Sequence, residues 1–236
     1  MKRYHMKHII LFFLLVQSFL VFSQYKSGRI EYNLVIGHDE KLANDEKFKF
    51  VLESAIEGAK LISFDLVFNN ESSFFKKKES LENENTGYAE AMSGAKDCYY
   101  NIKNGIEKIK QIDNYTGHFV IKYNDETKWE LSEETKIIDN YICYKAISTQ
   151  IVINSKSTFT HPVIAWYCPS IPFSYGPKGY TGLPGLILEL QVRHIKWGAT
   201  KISLSTENKI IDEPTKGKVV TEEEYKNIVI KGSPTF

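Results

Sequence analysis

Hydrophobic positions along the chain recur mainly with a period of two. Between Gly28 and Ile36, Ile30, Tyr32, Leu34 and Ile36 share one face, which predicts a strand with one side in a core. Further extended segments are predicted at Lys60–Phe68, Ser72–Lys78, Cys98–Lys103, Ile106–Ile112, Phe119–Tyr123, Lys128–Ser132, Lys136–Ile153, Thr158–Cys168, Leu186–Val192 and Thr200–Ser205. Asn104-Gly105 favours positive φ at both central positions of a two-residue type I′ hairpin. Asn124-Asp125 and Glu133-Glu134-Thr135 supply further turns. Asp45–Gly58 is the best helical stretch, although its Phe48, Phe50, Val51 and Leu52 suit the start of a strand equally well. Leu81–Lys96 is polar and reads as a loop, and Thr221 with Glu224 forms a capping box opening a short C-terminal helix. About ten strands on short turns predict a mainly β fold: an antiparallel meander forming a curved sheet or half-barrel, with one or two short helices. Neither a repeat nor a linker divides it.

The N-terminus departs from this pattern. A basic Met1–Lys7 precedes an apolar run from Ile9 to Phe22, broken only by Gln17 and Ser18 and ending in Val21-Phe22-Ser23. This reads as a secretory signal peptide over residues 1–23, cleaved after Ser23. The run is shorter than the roughly 20 apolar residues of a comfortable membrane span, and an uncleaved anchor is the competing reading. Residues 24–236 then form a single domain. The full 236 residues carry 30 basic and 29 acidic side chains, and loss of Lys2, Arg3 and Lys7 leaves 27 against 29. The expected product is slightly acidic and exported: periplasmic, outer-membrane associated or secreted. No basic, aromatic-interleaved stripe suits nucleic acid.

Outside the cytoplasm a disulfide persists, which gives the three cysteines a meaning. If Ser155-Lys156 is a two-residue hairpin loop, Ala146 faces Ala165, Ile147 faces Ile164, Val152 faces Phe159 and Cys143 faces Cys168. Counted from the bonded pair Asn154/Ser157, the two cysteines occupy a non-hydrogen-bonded rung. There the Cα atoms lie about 4.5 Å apart, within reach of a bridge. Cys143–Cys168 is the expected disulfide. Cys98 remains as a spare thiol, read as a small buried apolar residue rather than a nucleophile.

The chain contains no nucleophile elbow, paired-histidine zinc motif, Cys-x-x-Cys pair or glycine-rich phosphate loop. His38, His118, His161 and His194 are scattered, so no catalytic residue, metal or cofactor is assigned. The densest feature runs from Ala165-Trp166-Tyr167-Cys168 through Ile171-Pro172 and Gly176-Pro177 to Gly182-Leu183-Pro184-Gly185-Leu186-Ile187. Leu183-Pro184-Gly185-Leu186 suits a type II turn, with Pro184 presetting φ and Gly185 supplying the positive φ. Gly182 would permit close approach of a neighbouring backbone. Two readings stand. One is a rigid corner delivering Leu186, Leu188, Leu190 and Val192 into the core. The other is a recognition loop binding ligand through Trp166, Tyr167, Phe173, Tyr175 and Tyr180.

Gly182–Ile187 resembles the motif for which the GLPGLI family of bacterial envelope proteins is named. Tyr141-Ile-Cys-Tyr-Lys-Ala146 resembles that family's upstream Cys-x-Lys-Ala segment. Ala165-Trp-Tyr with Ile171-Pro172 and Gly176-Pro177 resembles its middle block, and Pro214–Lys218 with Thr221–Tyr225 its ending. The resemblance implies a secreted, largely β protein often encoded near outer-membrane TonB-dependent receptors. It carries no established activity or catalytic residue onto this chain, and Cys168 is not a general feature of the family. At fold level it implies a likeness to periplasmic lipoprotein carriers and to the bowl-shaped accessory domain of certain bacterial glycanases. The expectation is a non-enzymatic envelope binding or accessory protein. Its concave, aromatic-rich sheet would hold an apolar or peptide-like ligand, or dock on a TonB-dependent receptor or other envelope protein. A hydrolase with a spatially assembled site, a carrier of a lipid or lipoprotein-like ligand, and a module that only stabilises a neighbour are the alternatives.

Overall fold

The computed structural model describes residues 25–102, 107–114, 116–153 and 158–232. The expected signal peptide and the hairpin residues Asn104-Gly105 and Ser155-Lys156 lie outside them. Twelve strands form one open sheet: β1 (Ser27–Ile36), β2 (Ser63–Asn69), β3 (Ser72–Lys77), β4 (Cys98–Ile102), β5 (Glu107–Asn114), β6 (Gly117–Asn124), β7 (Glu130–Ile138), β8 (Tyr141–Ile153), β9 (Thr158–Cys168), β10 (Leu186–Val192), β11 (Ile195–Ser205) and β12 (Lys218–Thr221). Their spatial order is β12-β6-β5-β4-β3-β2-β1-β11-β10-β9-β8-β7. The mainly β, antiparallel fold expected from the alternation is the one observed. Its single parallel pair among these strands is β12 on β6, a strand formed by Lys218–Thr221 just ahead of the expected C-terminal helix.

The sheet is not closed, yet it curls. Ile121 of β6 and Ile151 of β8 line one cavity although nine strand spacings separate β6 from β8. In a flat sheet those strands would stand roughly 43 Å apart. The connection Asp125–Trp129 makes the same point, because it joins β6 directly to β7 at the opposite edge. Fully extended, it spans at most about 22 Å.

The inner face carries the core. Ile30 and Tyr32 of β1 stand opposite Leu66 and Phe64 of β2, and Leu66 opposite Phe75 of β3. All five are fully buried, with the Phe64 and Phe75 rings stacked at 5.0 Å. On the other side of β1, Leu34 faces Trp197 of β11. Across the back of the sheet a smaller cluster of Tyr100, Ile109 and Val120 is covered by Ile211.

Three helices complete the fold: α1 (Glu46–Ala59), α2 (Glu84–Ser93) and α3 (Glu222–Gly232), with one further helical turn at Glu40–Ala43. The helix-or-strand ambiguity at Asp45–Gly58 resolves as helix. Asp45 caps α1 by accepting from the Lys47 N–H, and Leu52, Ala55 and Ala59 are buried at helical spacing while Phe48 and Phe50 stay exposed. Leu81–Lys96, expected to be a loop, contains α2. Asn83 and Thr86 form a capping box at its start, and Gly94 at φ 60° ends it in left-handed geometry. Its docking face includes Glu90, which is buried and paired with Lys77, so no apolar stripe marked it.

The turn expected at Glu133-Glu134-Thr135 is also corrected. Those residues lie within β7, at an irregularity between Leu131 and Thr135. The chain reverses instead at Asp139-Asn140, whose φ values of 45° and 66° suit the two left-handed centres of a tight hairpin. Glu and β-branched Thr resist that geometry, whereas Asn and Asp tolerate it. Asn140→Gly removes the remaining Cβ strain there and is expected to raise stability by about 0.5 kcal/mol in urea unfolding.

Between β8 and β9 the expected register is observed: Ala146 faces Ala165, Ile147 faces Ile164, and Val152 faces Phe159. The ladder continues to Tyr144 opposite Tyr167, one residue from the cysteines. Cys143 and Cys168 are free thiols here and both are buried; the Cys143 thiol donates to the Tyr141 carbonyl at 3.6 Å, and Cys168 shares a 3.0 Å hydrogen bond with Ser170. The interaction between the two neighbouring thiols raises Cys143 and, helped by Ser170, lowers Cys168. Cys98 is half-buried and its thiol is pushed up by burial.

Candidate functional site: a cavity inside the curled sheet

Helices α1 and α2 fill one part of the trough formed by the sheet, and the remainder is an open cavity of about 1130 Å³. Its wall draws on β5, β6, β8, β11, the end of α2, α3, the Asp125–Trp129 connection and the turn Pro177–Gly179. Six aromatic side chains line it: Tyr99, Tyr123, Trp129, Tyr180, Trp197 and Tyr225. Five basic and five acidic side chains accompany them, so the wall is amphipathic without a net charge.

Several of these groups are fixed by their neighbours. The Trp129 indole N–H donates to the Thr181 carbonyl at 2.8 Å, which sets the ring beside Tyr180 at 6.0 Å. Burial raises the Tyr180 hydroxyl to about 12 and raises Tyr123 and Tyr99 as well, with help from Asp125 at Tyr180 and Tyr123 and from Asp97 at Tyr99. All three stay neutral hydroxyl groups at physiological pH. Asp97 accepts from the Lys110 ammonium at 2.7 Å, and Lys110 in turn lies 5.6 Å from the Tyr99 ring centre.

Lys178 is the least ordinary residue of the wall. It sits between Pro177 and Gly179 with φ 57°, a left-handed backbone unusual for a side-chain-bearing residue. Its ammonium donates to the Ser93 and Gly94 carbonyls at 3.1 and 3.0 Å, where the negative end of α2 favours a cation. The Tyr99 and Trp197 rings lie 4.9 and 5.7 Å from the same nitrogen. Burial lowers its basicity to about 8, partly offset by Asp97. The Trp197 ring is 2% exposed, and its indole N–H has no acceptor among the described residues.

Of the five aromatics expected to form a recognition surface, only Tyr180 lines the cavity. Tyr167, Phe173 and Tyr175 are buried, Phe173 against Phe68 at 4.7 Å, and they hold the core together. Trp166 is half-buried outside the cavity wall, beneath the Lys136 ammonium at 4.6 Å. The aromatic density around the corner is therefore mostly packing. The residues that do line the cavity come from segments far apart in the chain, so no local motif announced them. One signal was visible: Lys178 is the lone charge between Phe173 and Ile187, and it stands between proline and glycine.

The corner itself works differently from the expected type II turn. Gly182, not Gly185, takes the positive φ, at 90°. Gly185 is needed for space, since a Cβ there would lie 2.3 Å from the Cys168 carbonyl oxygen. The two glycines exchange the roles expected of them. Beyond the corner, the Leu186 N–H bonds the Ile171 carbonyl and the Ile187 N–H bonds the Tyr175 carbonyl, both at 2.9 Å. The buried Tyr32 hydroxyl donates to the Ile187 carbonyl at 2.6 Å. The motif thereby anchors the loop that carries Lys178 and Tyr180. Among the described residues, no group of three or more His, Cys, Asp or Glu side chains is placed to hold a metal ion.

Residues 154–189, which include this corner, match a family model described as "Protein of unknown function (Porph_ging)". No curated protein matches the chain. A solved structure, titled "Structure of PNGF-II in C2 space group", is similar over 87% of this chain with a TM-score of 0.55 and 13% identity. The similarity covers 33% of that chain, so the present chain spans about a third of the length of PNGF-II. At this identity the likeness is one of fold.

Proposed function

We propose that this chain is an exported binding or accessory protein of the bacterial cell envelope, of the GLPGLI type, which holds a peptide-like amphipathic ligand inside its curled sheet. The open cavity of about 1130 Å³ carries this reading. Its size lies just above the roughly 300–1,000 Å³ of small-molecule sites, which leaves room for a short peptide. Its six aromatics offer apolar faces with polar rims, and its balanced charges suit a ligand with both polar and apolar groups better than a bare hydrocarbon chain. Export is supported by the basic and apolar N-terminal pattern over residues 1–23. Work beside a TonB-dependent outer-membrane receptor rests on the family resemblance at Gly182–Ile187 alone; the match at residues 154–189 is consistent with that family type and says nothing of a partner. The test is mass spectrometry of small molecules extracted from protein recovered from its native envelope. A peptide-like or amphipathic compound in near-stoichiometric amount is the expected result; recovery of protein without one overturns the reading.

In an oxidising compartment the contact between Cys143 and Cys168 becomes a covalent bridge. Each thiol gives up a proton and an electron, a thiol–disulfide oxidant accepts them, and the two sulfurs bond. Non-reducing peptide mapping of the exported protein is expected to recover the peptides carrying Cys143 and Cys168 joined. Cys143 recovered as a free thiol would exclude the bridge.

A further inference from the structure

We infer that Lys178 is the anchor for a carboxylate on the ligand, so that the cavity takes peptide-like molecules by their acidic end. This inference rests on the cavity being a ligand site, as proposed above. Three observations converge on it. First, the Lys178 ammonium lies in the cavity wall on two carbonyl oxygens and two aromatic rings, with no carboxylate in ion-pair range among the described residues. The nearest acid acting on it, Asp97, is engaged by Lys110 at 2.7 Å. Carbonyl oxygens and rings orient an ammonium without neutralising it, so its charge is left for a partner. Second, the Trp197 ring, whose centre lies 5.7 Å from the Lys178 nitrogen and which also lines the cavity, carries a buried N–H without an acceptor among the described residues. Buried donors of this kind are rare, and an acceptor oxygen brought by a bound molecule would satisfy this one. Third, the backbone of Lys178 is held in left-handed geometry between Pro177 and Gly179, and a Cβ at Gly179 would press on Tyr99 at 3.0 Å. An uncommon conformation maintained by its surroundings is typical of functional positions.

The acidic end is distinguished from a general anion by what surrounds it. Trp129, Tyr180 and Tyr123 line the same cavity as half-apolar faces, with the Trp129 and Tyr180 rings 6.0 Å apart, and polar groups of the Asp125–Trp129 connection line it too. A short peptide has a terminal carboxylate for the Lys178 ammonium, aromatic or aliphatic side chains for those faces and amide groups for the polar ones. An inorganic anion would use only the first.

The experiment titrates the full-length protein with two probes, N-acetyl-Phe-Phe with its free carboxylate and the same dipeptide as carboxamide, followed by calorimetry and tryptophan fluorescence. The expected result is that the carboxylate binds at least about tenfold more tightly, as a charge-assisted hydrogen bond supplies. Lys178→Met should abolish that preference while the carboxamide still binds. Should Lys178→Met fail to fold, the wild-type protein decides. The preference should be full near about pH 6.5 and lost near about pH 10, as the lysine loses its proton. Asp97, Lys110 and Cys98 are the other titratable groups acting on Lys178, and Tyr99 stays protonated across most of that range. Equal binding of both probes overturns the anchor and leaves the cavity as a ligand site. Failure of both probes to bind overturns the peptide-binding reading and the anchor with it.

Discussion

Replacing Gly185 with alanine is expected to destabilise the fold by at least about 3 kcal/mol, the scale of severe overpacking in a core. The added Cβ would lie 2.3 Å from the Cys168 carbonyl oxygen, 2.5 Å from its carbon and 2.8 Å from the Pro169 nitrogen. Those are backbone atoms, and no rotamer change relieves them. Either the end of β9 or the start of β10 must move, yet Leu186 and Ile187 are fully buried and hydrogen-bonded at both backbone nitrogens. For a chain of this size the loss corresponds to a melting temperature lower by about 6 to 12 °C. Gly182→Ala is the informative partner. Its nearest contact would be an ordinary 3.6 Å, so the penalty is confined to φ 90° and should be about 1 to 2 kcal/mol. Urea unfolding of both variants checks the assignment, and a larger loss at Gly182 would reverse it.

Gly58→Ala carries the second large effect, and its sign opposes helix propensity. In an exposed helix interior alanine would be favoured over glycine by about 1 kcal/mol. Here a Cβ would lie 2.0 Å from the Asn85 carbonyl oxygen and 2.7 Å from the Thr86 nitrogen, in the first turn of α2. The two helices pack through this glycine, and separating them is expected to lower stability by about 3 kcal/mol. Gly87→Ala, in α2 with nothing within 4 Å of its Cβ, is the control and should stabilise by up to about 1 kcal/mol. Because the far end of α2 supplies the Ser93 and Gly94 carbonyls that hold Lys178, Gly58→Ala should also weaken carboxylate binding. Unfolding curves compared with dipeptide titrations separate the two consequences.

The parts of the fold that were legible in the sequence share one property: their signal is local. Alternation in β1 follows from a strand with one buried face. The β8–β9 register follows from counting outward from a short hairpin, and it held down to Tyr144 opposite Tyr167. The parts that were not legible depend on partners distant in the chain. α2 buries Glu90 against Lys77 rather than an apolar stripe, so its polar sequence imitates a loop. The tight turn at Asp139-Asn140 was hidden inside a long β-prone run, while Glu133-Glu134-Thr135 had turn-like polarity but stands on an exposed edge strand. Tyr167, Phe173 and Tyr175 looked like a binding surface because composition cannot separate an aromatic that faces a ligand from one that faces a core.

By itself, then, the sequence determined the strand-rich class, the pairing of β8 with β9, the capped start of α3 and the presence of a rigid glycine–proline corner. Each is set by interactions within a few residues or across one short hairpin. Tertiary structure decided the rest. It decided that twelve strands curl far enough to enclose a cavity, and that Gly182 and Gly185 serve conformation and space respectively. It also decided that Lys178 meets Tyr99, Trp197 and the end of α2. The reason is geometric: curvature accumulates over the whole sheet, and the site exists only where strands remote in sequence are brought round to face one another.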